Sequence, residues 1–195
     1  NGVANSTVYG CVAGDVMGAD IRNMGALRDP DEAVLEAEVA RALRPLSNRI
    51  APIQPLRDKL QEAMWEDVGV MRTETGMRRG QARIADIQAE LMETGISGDN
   101  LAFNLTWHDW LNMASLCEIS EVITEAGLAR ENSRGAHFRE DFPESGSMES
   151  SYFTVARQTG AELGVSREDV KFTIVRPGET ILPEGEPISL VEAAE

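Results

Sequence analysis

The sequence predicts a mainly α fold: a three-helix bundle with one further helix before it and an extended tail with a short strand after it. Three observations lead there. Apolar residues recur at helical spacing in three long runs between positions 56 and 126. The breaks between these runs are short, which makes consecutive helices antiparallel neighbours in an up-down-up bundle. Only one segment, VKFTIV at 170–175, alternates and is β-branched in the manner of a strand.

Taken in order, residues 1–17 are small and apolar, with Gly10, Ala13 and Gly14 at i, i+3 and i+4. That spacing gives one smooth helix face suited to close packing. A helix this apolar is expected to belong to a domain whose remainder lies outside this chain. Residues 18–30 read as a linker. Residues 31–43 read as a short helix, apolar at Val34, Leu35, Val39 and Leu43, and Pro45, Pro52 and Pro55 punctuate its exit.

The first bundle helix carries Leu56, Leu60, Met64 and Val68 in one stripe, with Gly69 as its stop. Thr73 is suited to cap the second, which puts Met77, Ile84, Ile87 and Leu91 on one face. Gly95, Gly98, Asp99 and Asn100 form the next break. Thr106 with Asp109 resembles a capping box. The third helix has a wide apolar stripe at Met113, Leu116, Cys117, Ile119, Val122, Ile123 and Ala126, and is expected to be the most buried. Beyond Pro143 a polar stretch precedes a short helix over 152–163, the strand at 170–175 and an acidic end.

Composition narrows the function. Hydrophobic residues make up 42% and aromatics only 5%, so the core should be aliphatic and methionine-rich. Net charge is −15, which argues against a nucleic-acid or acidic-membrane surface, because phosphate binding needs clustered Lys and Arg. Cys11 and Cys117 stand alone in apolar patterns, so zinc or iron–sulfur ligation within the chain is not expected. Read as buried thiols, they fit a reducing compartment. No run approaches the roughly 20 apolar residues of a membrane span. The expectation is a cytoplasmic protein with no direct membrane span. No dinucleotide fingerprint, P-loop, nucleophile elbow or zinc-protease spacing occurs. His108, beside Trp107 near a helix start, reads as capping or packing.

The densest chemistry is ENSRGAHFREDFP at 131–143, which gathers Arg134, His137 and Arg139 among acids directly after the third bundle helix. Gly135 can supply a left-handed helix cap. Arg130 and Arg134 lie where the helix dipole favours cations. Two roles are open: a polar clamp joining the bundle to the tail, or an anion site for a dicarboxylate or phosphate.

Residues 132–143 resemble the E-S-R-G-A-H-x-R-x-D-[FY]-P signature of the succinate dehydrogenase/fumarate reductase flavoprotein family, which includes L-aspartate oxidase; Asn132 departs from it. LQEAMWEDVGVMRTETG at 60–76 is similar to the family's L-x-x-x-M-[WQ]-x-x-V-G-[IV]-x-R-[TD]-x-x-G helix pair. At the start, Asn1, Gly2 and Val3 correspond to the N-S-L of a glycine-rich stretch, with Gly2 in place of Ser, and VYGCVAG at 8–14 to the end of the helix that follows.

The resemblance implies an FAD-dependent oxidoreductase that moves hydride between FAD and a dicarboxylate. It implies FAD contacts at Gly2 and Val3, with Asn1 as second choice, made by backbone amides at the helix start. The substrate-binding arginine and the acid/base arginine of the capping domain correspond to positions upstream of Asn1, so no catalytic residue and no metal ligand is expected here. Arg134, His137 and Arg139 are expected as a structural clamp or interface. The implied organisation is the end of an FAD-binding domain at 1–28, a helical C-terminal domain at 29–143 and a tail at 144–195. The implied partners are the remainder of the flavoprotein, a dicarboxylate substrate and an iron–sulfur subunit. Peripheral attachment to the inner membrane would run through partner subunits. The alternative is a non-catalytic helical interaction module. Residues 1–17 discriminate: an enzyme fragment needs them covered by a missing domain, and a module leaves them exposed or repacked.

Overall fold

A computed structural model describes residues 2–26, 29–98, 100–147, 149–160, 162–173 and 175–179. The chain divides into two compact units, Asn1–Leu43 and Arg44–Glu195.

The first unit holds α1 (Gly2–Asn23) and α2 (Glu32–Leu43), neither of which has a buried residue. α1 runs past Gly18 to Asn23, so the linker expected at 18–30 is shorter. One mid-helix glycine costs only about 1 kcal/mol, and the alanine, aspartate, isoleucine and arginine that follow carry the helix on. Cys11, expected to be buried, is exposed. α2 starts where Asp31 accepts the Ala33 N–H through Oδ1 at 3.0 Å, a short-range cap.

The second unit opens with a 3-10 turn at Arg44–Leu46 and a two-residue strand β1 (Arg49–Ile50). The bundle follows: α3 (Gln54–Glu66), with Pro55 in its first turn; α4 (Glu74–Glu93); and α5 (Leu105–Ala129). Between α4 and α5, β2 (Thr94–Gly95) pairs in parallel with β1. Thr73 caps α4 as its residue type predicts, its hydroxyl accepting the Gly76 N–H at 3.1 Å. α5 begins differently from the sequence pattern. Asn104, not Thr106, is the cap, and its side chain accepts the Trp107 N–H at 3.0 Å.

The core is aliphatic with one large aromatic: Leu56 and Leu60 of α3, Ile84, Ile87 and Leu91 of α4, and Trp110, Met113 and Cys117 of α5, closed by Ile53 and Ile96. Each large apolar side chain among them contributes about 1.5–3 kcal/mol on burial. The Trp110 indole N–H donates to the carbonyls of Leu91 (3.1 Å) and Thr94 (3.0 Å), fastening α5 to the end of α4. The buried face of α5 continues through Ser120, Thr124 and Gly127, whereas Leu116, Ile119 and Ile123 of the expected stripe are exposed. α5 is apolar almost all round, so periodicity could not select its inner face.

Beyond the bundle the expectation of a helix at 152–163 is overturned. β3 (Tyr152–Thr159) and β4 (Glu162–Asp169) form an antiparallel hairpin in which Val155 faces Ser166 and Ala156 faces Val165. The expected strand at 170–175 is absent among its described residues, and Ile174 lies outside them. The ladder ends with Val170 donating to the Ser151 carbonyl at 2.8 Å. Gly160, at φ +63°, is the turn residue that the sequence pattern passed over.

Candidate functional site

After α5 the chain folds back as a knot around one guanidinium. The helix ends at Ala129 without a glycine cap. Gly135, at φ +64°, instead makes the tight turn in which Arg134 and His137 exchange backbone hydrogen bonds at 2.9 and 3.2 Å. That turn brings Arg139 beneath the end of α5, where it is 1% exposed. Its Nη1 donates to the carbonyls of Gly127 (3.3 Å), Leu128 (3.1 Å) and Arg130 (3.2 Å), which lie at the helix C-terminus, where carbonyls run short of intrahelical donors. Its Nε and Nη2 donate to the two carboxylate oxygens of Asp141 at 2.8 and 2.7 Å, a bidentate pair, and Phe142 stacks on its face at 4.6 Å.

Asp141 reaches the other way. Its Oδ2 accepts the Glu74 N–H at 2.7 Å, in the first turn of α4. A cation therefore meets the negative end of α5 while its carboxylate meets the positive end of α4, both in the favourable sense of the helix dipole. Bonding to Arg139, aided by the Glu74 amide, lowers the Asp141 carboxyl to about 2. The same bond raises the Arg139 guanidinium. Backbone bonds lock the crossing: Glu140 N–H to the Arg72 carbonyl at 2.9 Å, and Arg72 N–H to that of Phe138 at 3.3 Å. Ser133 accepts the Arg139 N–H at 2.8 Å and donates to the Phe142 carbonyl at 2.8 Å.

The three arginine and histidine positions singled out by sequence part company. Arg139 alone of them pairs with a carboxylate. Arg134 turns to the polar stretch beyond, donating to the carbonyls of Ser147 and Ser150 and to the Ser151 hydroxyl. His137 bonds no acid. Arg72 lies 2.8 Å from its Nδ1, and a guanidinium can only donate, so Nδ1 accepts and the ring is neutral with its proton on Nε2. Nε2 then donates to the Arg130 carbonyl at 3.3 Å. Burial, reinforced by the charges of Arg130, Arg72 and Arg139, pulls the imidazole below its ordinary value.

Sequence reasoning missed Arg72 and Asp67. Asp67, at the end of α3, is 2% exposed and accepts from Arg79 (Nε, 2.7 Å) and Arg83 (Nη1, 3.0 Å) of α4. Asp67 and Arg72 both stand inside the matched helix-pair motif, where the chain turns from α3 to α4. His108 is exposed beside Trp107, with ring centroids 5.9 Å apart. Cys117 is buried, which pushes its thiol up to about 11 and leaves it inert as a nucleophile. At the other end of the chain, Gly2 and Val3 lie exposed in the first turn of α1, which holds no acidic side chain. Asn1 lies outside the described residues.

A family profile described as fumarate reductase flavoprotein C-term matches residues 57–182, from α3 through the knot and hairpin. The chain is 29% identical over 145 residues to a fumarate reductase (CoM/CoB) polypeptide of Methanothermobacter marburgensis, covering 74% of this chain and 26% of that protein. It is 30% identical over 193 residues to the fumarate reductase flavoprotein of Mycobacterium tuberculosis, covering 93% and 32%. Its fold resembles that of a solved structure, Mycobacterium smegmatis Sdh1 in complex with UQ1, with a TM-score of 0.62, 26% identity, and 80% and 26% coverage. The chain thus spans about a quarter to a third of the length of these proteins. With more than half of its residues matched, this chain belongs to the fumarate reductase flavoprotein C-terminal family.

Proposed function

We propose that this chain is the C-terminal portion of an FAD-dependent oxidoreductase of the succinate dehydrogenase/fumarate reductase type. The observation that carries the reading is the family match over 57–182, which spans α3, α4, α5 and the knot as one block. In this reading residues 1–28 end an FAD-binding domain, 29–143 form the helical C-terminal domain and 144–195 its tail. The remainder of the flavoprotein supplies the FAD-binding and capping domains and the catalytic residues. An iron–sulfur subunit is the further partner, and a dicarboxylate the substrate. Among the described residues no helix is long and apolar enough to cross a membrane. In this reading, attachment to the inner membrane runs through partner subunits.

The start of α1 fits a flavin. Its first backbone N–H groups lack intrahelical partners, as at any helix start, and point along the axis with the positive end of the dipole. No acidic side chain stands in that turn, and a Cβ at Gly2 would meet nothing within 4 Å. When bound, the flavin supplies the hydride acceptor. Gly2 and Val3, with Asn1, would hold negative charge at its N1–C2=O edge through backbone amides. Arg134, His137 and Arg139 act away from the chemistry, as the clamp that fixes the helical domain.

The test is dye-linked succinate oxidation and fumarate reduction by native material containing the chain. Activity with bound flavin, lowered in Gly2→Asp with reduced flavin retention, supports the reading. The second reading, a non-catalytic helical interaction module, draws on the exposure of α1, where Val3, Val8, Tyr9, Val12, Val16, Met17 and Ile21 are all open to solvent. Inactive, flavin-free native material would favour it.

A further inference from the structure

We propose that the hollow beside the end of α5, between the α3–α4 turn and β3, is a carboxylate-binding site in which Arg72 and Arg130 are the cations and Thr154 is a neutral donor. The hollow measures about 360 Å³, room for a small organic group alongside a few waters, each of which takes about 30 Å³. Its polar wall is Arg72, Arg130, His137, Tyr152 and Thr154, and no Asp or Glu lines it. This inference concerns the helical domain alone and does not depend on the flavin reading.

Charge is the first argument. Among the described residues, Arg79, Arg83 and Arg139 each meet a carboxylate, whereas Arg72 and Arg130 form no ion pair. Two uncompensated guanidiniums sharing one partly buried wall raise the energy of the structure, and an anion between them relieves it. The strain registers on Arg72, which burial and then the Arg130 charge pull below its ordinary value.

Unmet hydrogen bonds are the second. Arg130 Nε and Thr154 Oγ1 are both buried without a hydrogen-bond partner, although buried polar atoms are almost always satisfied. Both residues line this hollow. Arg72 is held by Nε to the Val68 carbonyl (3.0 Å) and by Nη1 to His137 Nδ1 (2.8 Å), so its guanidinium is oriented in advance. His137, neutral in this network, fixes Arg72 without adding a charge of its own.

Shape is the third. The guanidinium fork matches the plane of a carboxylate. Ile123, Ala126, Gly127 and Phe153 make up the rest of the lining, without a polar side chain, which suits a singly charged planar group on a short carbon stem. The carboxylate has two possible sources, a free small acid or an Asp or Glu side chain from the rest of the protein, and the experiment separates them.

That experiment is NMR on ¹⁵N,¹³C-labelled protein as purified, with any accompanying polypeptide retained. Sodium acetate is titrated at constant ionic strength, and the Nε–Hε signals of Arg72 and Arg130, assigned with R72Q and R130Q, are followed. The free-acid form predicts saturable shifts of both signals, with binding weakened about tenfold in R130Q and severalfold in T154V. The side-chain form predicts no acetate response, but a through-hydrogen-bond correlation from Arg130 Nε to an Asp or Glu carboxyl carbon. Neither behaviour in the unsubstituted protein overturns the proposal, and that outcome needs no variant to fold. An acetate response undiminished in both R130Q and T154V overturns it as well.

Discussion

Arg139 is held by five hydrogen bonds, three to the end of α5 and two to Asp141, and it sits almost wholly out of solvent. Arg139→Met keeps an unbranched apolar stem and removes every side-chain donor. It takes the Arg139 donor from the Leu128 carbonyl and leaves Asp141 without its cation, so a loss of about 3–5 kcal/mol is expected in urea unfolding. Titration probes the same residues. The folded carboxyl of Asp141 lies at about 2, below its unfolded value of about 3.9. Its stabilisation is therefore complete above about pH 4 and lost as pH falls towards 2. His137 is also depressed, and for a base the unfolded state then takes up the proton first. Stability should fall as pH drops from about 6.5 through its lower folded value. Unfolding free energy measured against pH should show both limbs. Asp141→Asn should lack the acid limb, and His137→Gln the one nearer neutrality.

At the scale of elements, the α3–α4 turn packs on α4 at Gly80, where a Cβ would lie 2.7 Å from Val68 Cγ2 and 3.0 Å from Asp67 Cβ. Gly80→Ala should cost about 1–3 kcal/mol by overpacking, against the roughly 1 kcal/mol that alanine gains in a free helix. A thermal midpoint that rises in this variant would contradict the close approach. The elements also differ in how well the sequence announces them. α3 and α4 were legible because each is polar on one face, so Leu56, Leu60, Ile84, Ile87 and Leu91 stood out. α5 was legible as a helix but not in its orientation, since Ser120 and Thr124 are buried while Ile119 and Ile123 are not. The hairpin was misread because Tyr152, Val155, Ala156 and Leu163 also fit a helical stripe, and strand pairing is decided across the chain rather than along it. In the candidate site, Arg139 was visible as part of a motif. The reach of its partner Asp141 to the Glu74 amide, 67 residues away in sequence, was not, because helix-end contacts of that range leave no local pattern. The hollow that joins Arg72 to Arg130 was hidden for the same reason.

For the whole molecule, the two units present different surfaces. The bundle closes its own core, whereas α1 and α2 bury nothing and expose valines, a tyrosine and a methionine along their length. An apolar helix of that kind needs a cover, and in the proposed reading the cover is the remainder of an FAD-binding domain. The most direct measurement is intact mass combined with flavin absorbance on native material containing this chain. Flavin should co-purify with the chain, held by additional polypeptide that covers α1. A lone 195-residue species that is colourless, monodisperse and stably folded would contradict this.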